Sequence, residues 1–179
     1  MTHGTITLYI ASSVDGYIAA ADGGVSWLEP FEQSASGEEI ERYDAFFESV
    51  DCLVMGSRTY EQVLGFGDWP YGETPTVVVT SRDLPSVTDA VERFDGTVAS
   101  LVDRLTTQYD HVWLVGGAAL AQSFLDQTLV DQLRLSLIPV LRNGGIRLFD
   151  GDGEPAALTL VETTTTDTGI VELTYDIGA

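Results

Sequence analysis

The chain has 179 residues, 44% of them hydrophobic, enough for one domain with a buried core. Its 28 acidic residues stand against eight arginines and no lysine, and the resulting net charge of −20 excludes nucleic acid as a partner. The apolar runs fall short of a membrane span, and Met1–Thr7 lacks the basic and apolar regions of a signal peptide, so a cytoplasmic protein with no membrane attachment is expected.

Apolar periodicity runs through nearly the whole sequence, so the carboxylates are read as the coat of a folded surface rather than as a sign of disorder. An acidic, lysine-free coat suits work in high salt, where screening removes most of the self-repulsion, and a halophilic origin is expected. The single cysteine, Cys52, lies among Val50, Leu53 and Val54 and reads as a buried structural thiol rather than a nucleophile.

In chain order, Thr5–Ala11 alternates as a strand and runs into an Asp15-Gly16 turn. Asp22-Gly23-Gly24 followed by Trp27-Leu28 forms a loop ending in an aromatic anchor, either a mobile lid or an ordinary connection. Ser36–Ser49 is a helix: Ser36 can cap it, and Tyr43, Phe46, Phe47 and Val50 share one face. Asp51–Met55 is a buried strand that hands over at Gly56 to a helix carrying Ser57, Arg58 and Thr59. Arg58 in the first helical turn is unfavourable unless an anion is near. Gly65–Gly72 is a loop, and Thr76–Thr80 is a third buried strand, followed by Ser81-Arg82.

Ala90–Phe94 reads as a short strand and Ser100–Tyr109 as a helix. Val112–Val115 is a buried strand that meets a helix beginning at Ala118-Ala119-Leu120, with Gly116-Gly117 at the joint. Two glycines there let a ligand approach the backbone, where open N–H groups and the helix dipole favour a phosphate; they also fit a plain tight turn. Beyond this the texture becomes alternating: Leu133–Ile138, a turn at Asn143-Gly144-Gly145, Ile146–Phe149, then a hairpin of Ala157–Thr166 and Gly169–Ile177. The pattern predicts a single α/β domain over residues 1–179, with a mixed, largely parallel sheet, helices on both faces and a C-terminal antiparallel hairpin. Three buried strands then end on one sheet edge in Gly56–Thr59, Ser81-Arg82 and Gly116-Gly117, where α/β folds bind ligands.

Those residues carry a resemblance. Ser13–Ala19, Met55–Glu61, Val79–Arg82, Val115–Gly117 and Ile138–Leu141, with Gly145 and Leu148-Phe149, resemble the dihydrofolate reductase superfamily. Within it, the chain is most similar to the branch of the C-terminal reductase domain of the bacterial riboflavin biosynthesis deaminase-reductase. The resemblance implies NADPH across the sheet edge. Gly56, Ser57, Arg58 and Thr59 would meet the phosphates, Ser81 and Arg82 the adenosine 2′-phosphate, and Gly116, Gly117, Ala118, Ala119 and Leu120 the pyrophosphate and nicotinamide side. Ala11, Ile18, Gly23 and Gly24 would cover the nicotinamide, and the Gly116–Gly117 peptide would be cis.

The chain also departs from its relatives. Folate reductases carry an acid on the first helix, for which Glu41 and Asp44 are the nearby candidates, though either also fits as a solvated charge. Glu61–Pro70 has no arginine for a substrate phosphate, and no zinc motif of a partner deaminase occurs, so no metal is expected. Trp27, Phe47 and Trp69 are candidates to line a pocket for a flat heterocycle. Two functions follow: an NADPH-dependent reductase of a pterin-like or pyrimidine-like small molecule, or a nucleotide-binding module of the same fold without turnover. The sequence leaves room for a homodimer.

Overall fold

The computed structural model describes residues 3–178. The first two residues of Met1–Thr7, where no signal peptide is read, lie outside them. Ten strands follow in chain order: β1 (Thr5–Ser13), β2 (Tyr17–Ala19), β3 (Cys52–Gly56), β4 (Thr76–Val79), β5 (Val91–Phe94), β6 (His111–Gly116), β7 (Gln132–Ile138), β8 (Ile146–Arg147), β9 (Leu158–Thr165) and β10 (Val171–Ile177). The helices are α1 (Glu29–Glu32), reached through a 3-10 turn at Ser26–Leu28, then α2 (Gly37–Glu48), α3 (Ser57–Gly65), α4 (Val98–Gln108) and α5 (Ala118–Leu125).

Eight strands form one sheet in the order β5-β4-β3-β6-β1-β7-β10-β9, while β2 and β8 make a small antiparallel pair. From β5 to β7 every neighbouring pair is parallel, and β10 and β9 run antiparallel, joined by the expected hairpin. The sheet is therefore the mixed, largely parallel one that the sequence predicts.

Burial explains which segments became strands. Cys52, Leu53, Val54 and Met55 are all 0% exposed, as a strand covered on both faces requires. One core layer packs Leu101, Leu105 and Phe124 of α4 and α5 against Ile6, Leu8 and Leu114. The other packs Phe46 of α2 and Tyr60 and Val63 of α3 against Leu53, Val78 and Trp113. Cys52 is sealed in the first layer, and burial pushes its thiol up to about 12. The hairpin is different, since β9 is exposed along nearly its whole length, with Leu160 and Val161 bare on the sheet's outer edge.

No helix among the described residues is long and apolar enough to cross a membrane. Nor do the described residues include a group of three or more His, Cys, Asp or Glu side chains placed so that they could hold a metal ion.

Candidate active site

Because the strands from β5 to β7 are parallel, their carboxyl ends share one edge, and the loops leaving β4, β3 and β6 bring the predicted residues there. Gly56 closes β3 and starts α3, and Gly117 starts α5. A β-carbon added at Gly56 would stand 3.9 Å from Gly117 N, and one at Gly117 would stand 3.4 Å from Thr59 Oγ1. The two handovers thus meet. The Gly116–Gly117 peptide is cis, as the resemblance implies, and Gly116 has φ 121°, a conformation that favours glycine.

Capping separates these helices from α2 and α4. Ser36 caps α2 in a reciprocal box with Glu39, and the Thr97 hydroxyl caps α4. Neither α3 nor α5 has a side-chain cap bond, and both take glycine at the N-cap. Their first N–H groups thus lack a side-chain acceptor at one shared point, the arrangement that takes a phosphate. Ser57, Arg58 and Thr59 form the first turn of α3, and Ala118, Ala119 and Leu120 that of α5. Arg58 is exposed and makes no ion pair among the described residues. The residues present fit a phosphorylated cofactor.

Ser81 and Arg82 follow β4 at the same edge, both exposed. Arg82 pairs with Glu61 of α3 at 2.7 Å. Arg93 of β5 donates to Ser81 O at 3.0 Å, a third cation here that the sequence did not single out.

The Gly23-Gly24 loop is tied down by Gln62 Nε2, which donates to Gly23 O at 2.8 Å. Ile18 lies in β2, whose turn is fixed by Asp15. That carboxylate accepts from Ser13 Oγ at 2.6 Å and from the backbone N–H groups of Arg142 and Asn143 at 3.0 and 2.8 Å. These bonds, the one from Ser13 foremost, lower the Asp15 pKa from 3.8 to about 2.

Ala11 of β1 faces a cleft of about 190 Å3 on the α2 side of the sheet. Its floor is Tyr9 and Ala11 of β1, Ser136 and Ile138 of β7, and Ile170 and Glu172 at β10. Leu28, Phe31, Glu32, Ala35 and Glu39 form the opposite wall, and Thr166 closes the hairpin side. Glu172 Oε1 accepts from Tyr9 Oη at 2.8 Å and Ser136 Oγ at 3.2 Å, while Oε2 faces Arg134 Nη2 at 3.4 Å and Arg42 Nε at 3.8 Å. The Arg134 guanidinium also lies over the Tyr9 ring, 4.6 Å from its centroid. Burial, reinforced by the Glu172 charge, pushes Tyr9 up to about 12. Burial alone would raise the Glu39 carboxyl, but hydrogen bonds from Ser36 and Thr168 hold it below the usual range.

This cleft revises two sequence expectations. Glu41 and Asp44 are exposed on the outer side of α2, and Glu39 is the helix acid that lines the cleft. None of Trp27, Phe47 and Trp69 lines it. Phe47 and Trp69 pack in the α2–α3 core layer, with Tyr71 at 5.9 and 5.1 Å from the two rings, and Trp27 is covered by Arg142, 5.1 Å from its ring centroid. The core claimed Phe47 and Trp69 because large aromatics contribute more there by burial than they could on a cleft wall.

Residues 4–172 match the family model described as the RibD C-terminal domain. The uncharacterized protein YwjB of Bacillus subtilis (strain 168) is 33% identical over 144 residues, covering 79% of this chain and 80% of that one. A crystal structure of a putative riboflavin biosynthesis protein from Shewanella sp. PV-4 superposes with a TM-score of 0.84 at 26% identity, covering 98% of this chain and 99% of that one. Dihydrofolate reductase from Enterococcus faecalis, solved with NADP(H), gives 0.71 at 16% identity over 99% and 98% of the two chains, a likeness of fold.

Proposed function

The chain belongs to the RibD C-terminal domain family, and from that premise we propose an NADPH-dependent reductase that passes hydride to a pterin-like or pyrimidine-like heterocycle. The observation that carries this reading is the meeting of two uncapped helix N-termini at one sheet edge, with Ala11 on the floor of a cleft beside it. The N–H groups at Gly56–Thr59 and Gly117–Leu120 would hold the phosphates, and Ser81 and Arg82 the 2′-phosphate. NADP(H) bound to a reductase of the same fold supports the choice of cofactor.

When bound, NADPH supplies the hydride. The chain's own residues do the rest. The small Ala11 side chain leaves room for a ring over β1, while Leu28 and Phe31 exclude water from the opposite wall. Ser136 and Glu172 offer oxygen atoms to the ring's edge. Tyr9, its pKa raised by burial and its hydroxyl donating to Glu172, keeps its proton, and hydride transfer can draw the proton for the reduced ring from water.

Among the described residues the lining includes Glu32, Glu39 and Glu172 and no arginine or histidine, and of the three carboxylates only Glu172 is paired with cations, Arg134 and Arg42. Such a wall favours a neutral or N–H-rich ring and disfavours a substrate bearing its own phosphate. The cleft also favours turnover over a module that only binds nucleotide, which has no use for one.

The test is NADPH oxidation in molar salt with a panel of dihydropterin, dihydrofolate and pyrimidine substrates, each pyrimidine with and without a phosphate. Oxidation with a phosphate-free substrate supports the reading. NADPH binding without oxidation across the panel would point to the binding module instead.

A further inference from the structure

Arg82, the residue best placed to recognise a 2′-phosphate, does not stand free. Its Nη2 donates to Glu61 Oε2 at 2.7 Å. Glu61 sits on α3 one turn beyond Ser57, so the helix whose first turn offers N–H groups to an anion turns a carboxylate toward the β4 loop on its second. Nη2 takes part in both two-pronged edges of a guanidinium, so a carboxylate on it occupies one edge and stands beside the other. An anion pairing with Arg82 in the two-pronged way must displace Glu61 or lie against it, and two like charges sharing one cation repel. The neighbouring cation, Arg93, is itself engaged through Nη1, with Ser81 O at 3.0 Å and Asp83 at 3.5 Å.

We propose that Glu61 is a specificity-determining residue that competes with the cofactor's 2′-phosphate for Arg82 and thereby narrows the preference for NADPH over NADH. The inference rests on the NADPH reading above. NADH presents a hydroxyl at this position, which can donate to the Glu61 carboxylate without breaking the Glu61–Arg82 pair. Glu61 thus penalises one cofactor and tolerates the other. Both side chains are about half exposed, 53% for Arg82 and 46% for Glu61, so solvent screens the competition and its effect is modest.

The experiment is a comparison of NADPH and NADH dissociation constants for the wild-type protein, Glu61→Gln and Arg82→Ala at one ionic strength, with thermal melting as a folding control. Glu61→Gln is expected to tighten NADPH binding about two- to fivefold and leave NADH within experimental error. That change in the NADPH-to-NADH ratio is one a merely structural role would not produce. Arg82→Ala is expected to bring the ratio toward one. A Glu61→Gln ratio equal to wild type overturns the inference and leaves the NADPH reading standing. So does weaker NADPH binding, which would mean that Glu61 orients the guanidinium. Failure of the wild-type protein to bind either cofactor overturns the NADPH reading and this inference together.

Discussion

Replacing Glu172 tests whether the cleft floor is a stabilised charge network. In Glu172→Ala the Tyr9 hydroxyl loses its acceptor, and Arg134 and Arg42 lose the carboxylate between them. Hydrogen bonds to charged groups contribute about 1.5–3 kcal/mol, and removing one partner of a fully buried pair costs about 3–5 kcal/mol. Here the side chains of Glu172, Arg134 and Arg42 are 15%, 18% and 24% exposed, so water reaches Arg134 in part, and Arg42 keeps its pair with Glu38 at 3.1 Å. The expected loss is about 2–3 kcal/mol, or about 4–12 °C in Tm for a chain of this size. Glu172→Gln keeps the shape and an acceptor for Tyr9 and should lose less. Removing the charge should also lower the Tyr9 pKa, though burial, the larger cause, remains. Calorimetry ranks the two variants, and an ultraviolet pH titration follows tyrosine ionisation. A Glu172→Ala variant within about 0.5 kcal/mol of wild type, the range of ordinary surface substitutions, would refute the reasoning.

Asp15 makes a pH prediction. Its folded pKa lies below its ordinary value, so its contribution to stability is present above about pH 4 and is lost as pH falls toward about 2. The stability gap between wild type and Asp15→Asn should close over that window, and a gap constant with pH would remove Asp15 as the cause. Salt should raise Tm between about 0.1 M and 1 M, as the Debye length shrinks from about 10 Å to 3 Å; a flat or falling Tm would count against a halophilic design. The edge strand β9 carries one carboxylate, Glu162, along Leu158–Thr165, which makes it a low-charge surface on which a chain of −20 could pair with a second copy. Light scattering in molar salt should give a dimer that Leu160→Glu dissociates, and a monomeric wild type would end that expectation.

Local signals made most of the fold legible. The buried strands β3, β4 and β6 showed as continuous apolar runs, and Ser36 marked the start of α2 as a possible cap, which the structure completes into a reciprocal box with Glu39. The cleft was harder because its parts are far apart in the chain: Glu172 lies 163 residues from Tyr9, and on β10 it alternates with apolar neighbours like any solvent-facing acid. Glu39 did leave a trace. It lies seven residues before the buried Phe46, two helical turns away on the same face, whereas Glu41 and Asp44 fall on the other side. Trp69 carried no local sign that Tyr60 and Tyr71 would enclose it, since that contact depends on how the Gly65–Gly72 loop folds back on the core.

Where the sequence was most informative was in what it withheld from two helices. An N-cap serine or threonine satisfies a free N–H, and the chain uses one at Ser36 and another at Thr97, yet places glycine at Gly56 and Gly117. If glycine served only the backbone, Gly56→Ser should be harmless. The φ of −79° suits any residue, and a β-carbon there would have Gly117 N as its nearest neighbour at 3.9 Å, an ordinary contact. Its hydroxyl would then cap α3, changing stability by a few tenths of a kcal/mol at most. It would also take an N–H that a phosphate needs and occupy space beside it. Gly56→Ser should therefore melt at or slightly above the wild-type temperature while binding NADPH about tenfold more weakly, the equivalent of one charge-assisted hydrogen bond. Unchanged NADPH affinity in a fully folded Gly56→Ser protein would show that the open end of α3 is not where the cofactor's phosphates are held.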